Sequence, residues 1–120
     1  MIVGIGTDLV EIRRMRDMMD RHRGLERIFT KNELAHAKDR ADVLAGTFAV
    51  KEAVSKAFGT GFFGAEPYEI EVLRNEKGAP YVRLTGRARR LAETLHMDRI
   101  HVSITDTKKY AQAFVIGECL

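Results

Sequence analysis

Cysteine is almost absent: Cys119 is the only one in 120 residues. That excludes an intramolecular disulfide and any cysteine-rich zinc site, and it points to a reducing setting. The four histidines come with no cysteine set, so zinc is not expected. Serine occurs only at Ser55 and Ser103, and no Ser-His-Asp order emerges. No apolar run approaches the ~20 residues that span a bilayer. The opening MIVGIGTDLV is short and soon acidic, unlike a signal peptide. There is no internal repeat, low-complexity segment or linker. Neither charge sign dominates, with 20 Lys+Arg against 17 Asp+Glu. Aromatics are 8% of the chain, too few for a stacking platform on nucleic acid. These absences predict a cytoplasmic protein with neither a membrane nor a nucleic-acid partner.

What is present is an ordinary globular mixture, 45% apolar and 31% charged. The length predicts one domain over residues 1–120. A chain this short builds only a modest core, so a site needing deep walls has to borrow a surface from a neighbouring subunit. Ile2, Val3, Ile5, Leu9 and Val10 form a β-prone opening, and Gly4 and Gly6 mark a close approach of backbone or ligand. Ile12 to about His22 has helical spacing, ended by Gly24. Thr30 and Glu33 have capping-box spacing ahead of a second helix. The strongest helical stretch is Asp42 to Phe58, with Asp42 able to cap it and Gly59 and Gly61 stopping it. Tyr68–Leu73 and Tyr81–Leu84 flank the turn Asn75–Gly78 as a hairpin. Gly86–Leu95 is helical in composition, and two strands follow, His101–Thr105 and Tyr110–Ile116. The class predicted is α+β, with antiparallel pairing at the C-terminal end.

Four groups of residues can carry chemistry. Asp8 lies among apolar strand residues, where a carboxylate is costly unless paired. It either meets a cation or caps the helix that starts near Ile12. Glu52 and Lys56 share a helix face. They are either a routine surface pair or, with the turn Gly59-Thr60-Gly61, a grip for a metal-bound diphosphate: carboxylate to Mg²⁺, lysine and amides to phosphate oxygens. His101, Ser103 and Thr105 face one side of an alternating strand, read as central, which is either a lined site or a solvent face. Arg14, Met18 and Arg21 lie at i, i+4 and i+7. From Ile12 to Gly24 five arginines and two aspartates leave +3, the formal charge of the whole chain. That helix suits an acidic amphipathic partner, with the alternative that it is a solvated face whose methionines turn inward.

Three segments together resemble a known family. They are Gly4-Ile-Gly-Thr-Asp-Leu-Val-Glu-Ile12, Phe48-Ala-Val-Lys-Glu-Ala-Val-Ser-Lys-Ala-Phe-Gly-Thr-Gly61, and His101-Val-Ser-Ile-Thr105 with Tyr110-Ala. The chain is similar over its whole length to the holo-[acyl-carrier-protein] synthases, the short bacterial-type 4′-phosphopantetheinyl transferases. The resemblance implies an antiparallel sheet packed against a long central helix. It implies transfer of phosphopantetheine from coenzyme A to a serine of apo-acyl carrier protein, with release of adenosine 3′,5′-bisphosphate, in support of fatty acid biosynthesis. It also implies Mg²⁺ and a homotrimer with sites between subunits. By the same resemblance Asp8 and Glu52 hold the metal, and Glu52 and Lys56 are catalytic, Glu52 as base directly or through water. Lys51, Lys56, Gly59, Thr60, Gly61, His101 and Thr105 contact coenzyme A, and Arg14, Met18 and Arg21 dock the carrier. Two positions depart from the family pattern: Thr47, where members often carry arginine, and Asp106, where many carry histidine. Lys38 and Arg40 are the basic residues offered near the nucleotide. A rival reading, a non-catalytic basic module, keeps the arginine stripe and treats Asp8 and Glu52 as structural. The sparse aromatics and the confinement of positive charge to one segment disfavour it.

Overall fold

The computed structural model describes residues 1–61 and 64–120. The first strand, β1 (Ile2–Glu11), runs without a loop into α1 (Ile12–Arg21). A single 3₁₀ turn at Leu25–Arg27 leads to α2 (Lys31–Ala37) and then to the 18-residue α3 (Ala41–Phe58). A second 3₁₀ turn, Pro67–Glu69, precedes the hairpin β2 (Ile70–Arg74) and β3 (Pro80–Leu84). The chain closes with α4 (Gly86–Thr94), β4 (Arg99–Asp106) and β5 (Tyr110–Glu118). The fold is α+β, as expected.

The strands form two antiparallel sheets, one of order β1-β5-β4 and the hairpin β2-β3. β4 is therefore an edge strand and β5 the central one, because the last hairpin folds back against β1. Alternation is strict. Val102, Ile104, Ala113 and Val115 face inward, while His101, Ser103, Thr105, Gln112 and Phe114 face outward.

α3 lies across the inner face, and small residues let it lie close. Ala45, Ala49, Ala53 and Ala57 are buried four residues apart along it. A Cβ at Gly4 would collide with the carbonyl oxygen of Ala57, and one at Gly6 with that of Ala53. The strand glycines are thus the contact surface for the helix backbone, with no room left there for a ligand. Val50, Val54 and Phe58 continue into a core with Ile70, Val72 and Ala88. Met15, Met19, Phe29 and Leu44 build a second core under α1 and α2.

Local signals were kept with small differences. The capping box at Thr30 and Glu33 forms fully. The N-cap of α3 is Arg40, with no side-chain cap; Asp42 sits in the first turn, bonded to Arg40 at 2.7 Å. α1 ends on His22 in the left-handed region, and Gly24, also left-handed, opens the next turn.

Candidate active site

Asp8 sits two residues beyond Gly6 on the same face of β1, so the contact between β1 and α3 carries it onto the helix. It does not cap α1; the N-cap residue is Glu11, without a side-chain cap. Instead Asp8 Oδ1 lies 3.1 Å from Lys56 Nζ, which also donates to the Thr7 carbonyl at 2.9 Å. The carboxylate is largely covered and the lysine half-exposed. Glu52, one turn before Lys56, faces the same place. Burial pushes its carboxyl above the ordinary range, the charge of Asp8 pushes it further, and Lys56 opposes both. The structure thus brings Asp8, Glu52 and Lys56 together.

These acids stand at one end of a cavity of about 670 Å³. Its wall is α1, because β1 passes straight into that helix. Arg14 and Arg21 are exposed and Met18 half-buried there, while Met15 and Met19 turn into the core. Met15 and Met18 both line the cavity, and Met15 and Met19 are buried, as the reading with inward-turned methionines expects. Phe48 and Arg23 also line the cavity. Arg23 lies past the helix end, beyond the spacing that marks the stripe. Phe48 reads in sequence simply as part of an apolar face.

Other expected residues lie elsewhere. Lys51 is completely buried, donating to the carbonyls of Pro67 and Ile70 and paired with Glu33 at 2.8 Å. It cannot touch coenzyme A, and the expectation that it does is corrected. Periodicity could not warn of this, since Lys51 and Glu52 are neighbours about 100° apart around the helix. Gly59 is left-handed (φ 80°), and its N–H caps α3 through the Lys56 carbonyl at 2.9 Å. That amide is spent and is not offered to a phosphate. His101 and Thr105 project from the outer face of the sheet, away from Asp8 within one chain. His101 meets Glu118 at 2.9 Å there. Thr47 is buried in α3. Arg40 is held by Asp42 and lines a separate cavity beside Lys108 and Lys109.

Among the described residues no three His, Cys, Asp or Glu side chains gather as a metal site. Two carboxylates alone match a hard cation that completes its shell with water and phosphate oxygens, the habit of Mg²⁺. Glu52, held above its ordinary range beside Asp8, is a site short of positive charge. The donor set fits that ion.

The matching family description is the 4′-phosphopantetheinyl transferase superfamily, aligned over residues 4–115. The chain belongs to the 4′-phosphopantetheinyl transferases. One relative of this transferase, holo-[acyl-carrier-protein] synthase of Lachnoclostridium phytofermentans, is 49% identical over 120 residues, spanning 100% of this chain and 98% of the relative. The crystal structure of the Helicobacter pylori synthase in complex with coenzyme A is similar at TM-score 0.87 and 29% identity, covering 95% of this chain and 99% of that one. The Bacillus anthracis synthase, solved with CoA (3′,5′-ADP), gives TM-score 0.83 and 36% identity, covering 100% and 99%. In this transferase the three motifs that carry the resemblance are β1, α3 and the β4–β5 pair.

Proposed function

We propose that residues 1–120 form one holo-[acyl-carrier-protein] synthase domain. It moves 4′-phosphopantetheine from coenzyme A to a serine of apo-acyl carrier protein and so supports fatty acid biosynthesis. The observation that carries this reading is the meeting of Asp8, Glu52 and Lys56, with the two acids lining a cavity walled by the arginine-bearing α1. Asp8 and Glu52 hold Mg²⁺, which when bound neutralises the diphosphate. The serine oxygen forms a bond to the phosphorus bearing pantetheine, and the bond from that phosphorus to the nucleotide's 5′-phosphate oxygen breaks. Glu52 accepts the serine proton, directly or through water. Lys56 faces the charge that builds on the departing nucleotide, adenosine 3′,5′-bisphosphate. The amides of Thr60 and Gly61 lie one turn beyond Lys56, beside the nucleotide.

Arg14 and Arg21 pair with carboxylates of the carrier, and Met18 adapts to its apolar side chains. His101 and Thr105 reach coenzyme A from a second copy of the chain. Ile5, Leu9 and Phe114 stand 61%, 59% and 47% exposed around them on the same outer face, an apolar surface that favours burial between copies. A trimer that covers this face supplies those residues to a neighbour's site. No helix among the described residues is long and apolar enough to cross a membrane. A cytoplasmic setting, where coenzyme A and carrier protein meet, fits the lone cysteine.

Incubation with coenzyme A, Mg²⁺ and apo-carrier protein, followed by intact mass, tests the reading. The expected result is a gain of one phosphopantetheine on the carrier that disappears with chelator. An unchanged carrier mass with folded enzyme refutes it. Stabilisation by coenzyme A that requires Mg²⁺ separates it from the basic-module reading, which expects no thermal shift.

A further inference from the structure

Lys51 is the one lysine completely buried among the described residues, and its burial has a geometry. Its three N–H groups meet three acceptors on three segments: Glu33 Oε1 of α2 at 2.8 Å, the Pro67 carbonyl of the 3₁₀ turn at 2.9 Å, and the Ile70 carbonyl at the start of β2 at 2.7 Å. Glu33 is itself anchored. Its Oε1 accepts the Thr30 N–H and its Oε2 accepts the Val72 N–H at 2.7 Å. Two positions beyond Lys51 is Ala53, whose carbonyl abuts Gly6 of β1. At about 100° per residue the two points of attachment lie on nearly opposite sides of α3. The glycine contact holds one side of the helix and the ammonium clamp the other.

We propose that Lys51 is a positioning residue for the transfer site: its clamp to Glu33, Pro67 and Ile70 fixes the roll of α3 and so aims Glu52 and Lys56 at Asp8. This rests on the transferase reading. A roll of about 20° would carry a carboxylate some 6 Å from the helix axis through about 2 Å, several times the ~0.5 Å that a catalytic constellation tolerates. The glycine contacts on the β1 side are van der Waals contacts, whereas the clamp supplies directional hydrogen bonds on the other side of the helix. The clamp reaches further still. Pro67 and Ile70 lie in the chain returning from Gly59-Thr60-Gly61, so the same ammonium that orients the acids also anchors the far end of the segment beside the nucleotide.

Core stabilisation alone would give a different result, and Glu71 provides the control. Its carboxylate accepts from Arg83 at 2.6 Å, from Thr30 at 2.6 Å and from Asn32, tying α2 to the hairpin; it makes no hydrogen bond to Lys51, and only its charge reaches that ammonium. The experiment compares Lys51→Met with Glu71→Gln. It measures kcat, KM for coenzyme A and Mn²⁺ affinity of the protein without coenzyme A, at a temperature where circular dichroism shows each variant folded. Positioning predicts that Lys51→Met loses at least ~10-fold in kcat and binds Mn²⁺ more weakly, while Glu71→Gln lowers the melting temperature and leaves both within twofold. A folded Lys51→Met with unchanged kcat and Mn²⁺ affinity overturns the proposal, as does an equal kcat loss in Glu71→Gln. Should Lys51→Met not fold, Lys51→Arg keeps the charge but cannot direct a planar fork at three acceptors around one nitrogen. It is expected to fold with reduced kcat, and a folded Lys51→Arg with full kcat is equally fatal. Wild-type protein that transfers nothing sinks the transferase reading instead, and the Mn²⁺ comparison still decides the role of Lys51.

Discussion

Replacing Glu52 by glutamine removes a charge that the fold holds at a disadvantage and keeps the shape of the side chain. The carboxyl is raised first by burial and then by Asp8, with Lys56 only partly offsetting them. Between the ordinary carboxylate value and the raised one, the folded protein binds a proton that the unfolded chain has already released. Wild-type stability therefore falls as pH rises through that window and stays reduced above it. Glutamine has no such cost. Relief of a functional group held against its preferred ionisation commonly gives about 0.5–2 kcal/mol. In a domain of this size that is roughly 2–8 °C in melting temperature. Glu52→Gln should therefore melt higher than wild type near neutral pH without divalent ion, and the gain should shrink toward about pH 4 as the wild-type carboxyl protonates. Thermal scans at equal protein concentration measure this, and intact-mass assay of the same samples should show transfer abolished. A variant no more stable at neutral pH, or a gain that persists in acid, refutes the argument that Glu52 is strained by its surroundings. Retained transfer refutes its role as base.

Gly6→Ala should cost about 1–3 kcal/mol or more in urea unfolding, because the new methyl meets the backbone oxygen of Ala53, which cannot rotate away; an unchanged midpoint would mean that α3 does not lie so close. Arg14→Ala should raise KM for the carrier protein and make the remaining interaction less sensitive to salt, with coenzyme A affinity unaltered. A fall in coenzyme A affinity would place Arg14 in the other substrate's site. Phe114→Asp puts a charge on the outer sheet face and should break the oligomer in sedimentation analysis, taking activity with it; a wild-type monomer of full activity would remove the need for a neighbour's His101 and Thr105.

Much of this molecule is written locally. The capping box at Thr30 and Glu33, the length of α3 and the alternation of β4 and β5 follow from spacing, because each is decided within a few residues along one segment. Asp8 and Glu52 were legible as chemistry for a related reason: a carboxylate on a strand and a carboxylate on an apolar helix both demand a partner. What spacing could not give was which partner. Lys56 bonds to Asp8 and reaches Glu52 only through its charge, and Lys51 leaves the site for Glu33, because those pairings join residues 48 and 18 positions apart along the chain. Gly6 could be marked as a place of close approach, but only packing showed that the helix backbone occupies it. The side of the sheet on which His101 and Thr105 stand was likewise set by β5 taking the central position between β1 and β4. Sequence determines periodicity and the need for compensation; the side of a helix or sheet that meets each need is decided by elements distant in the chain, when the core closes around α3.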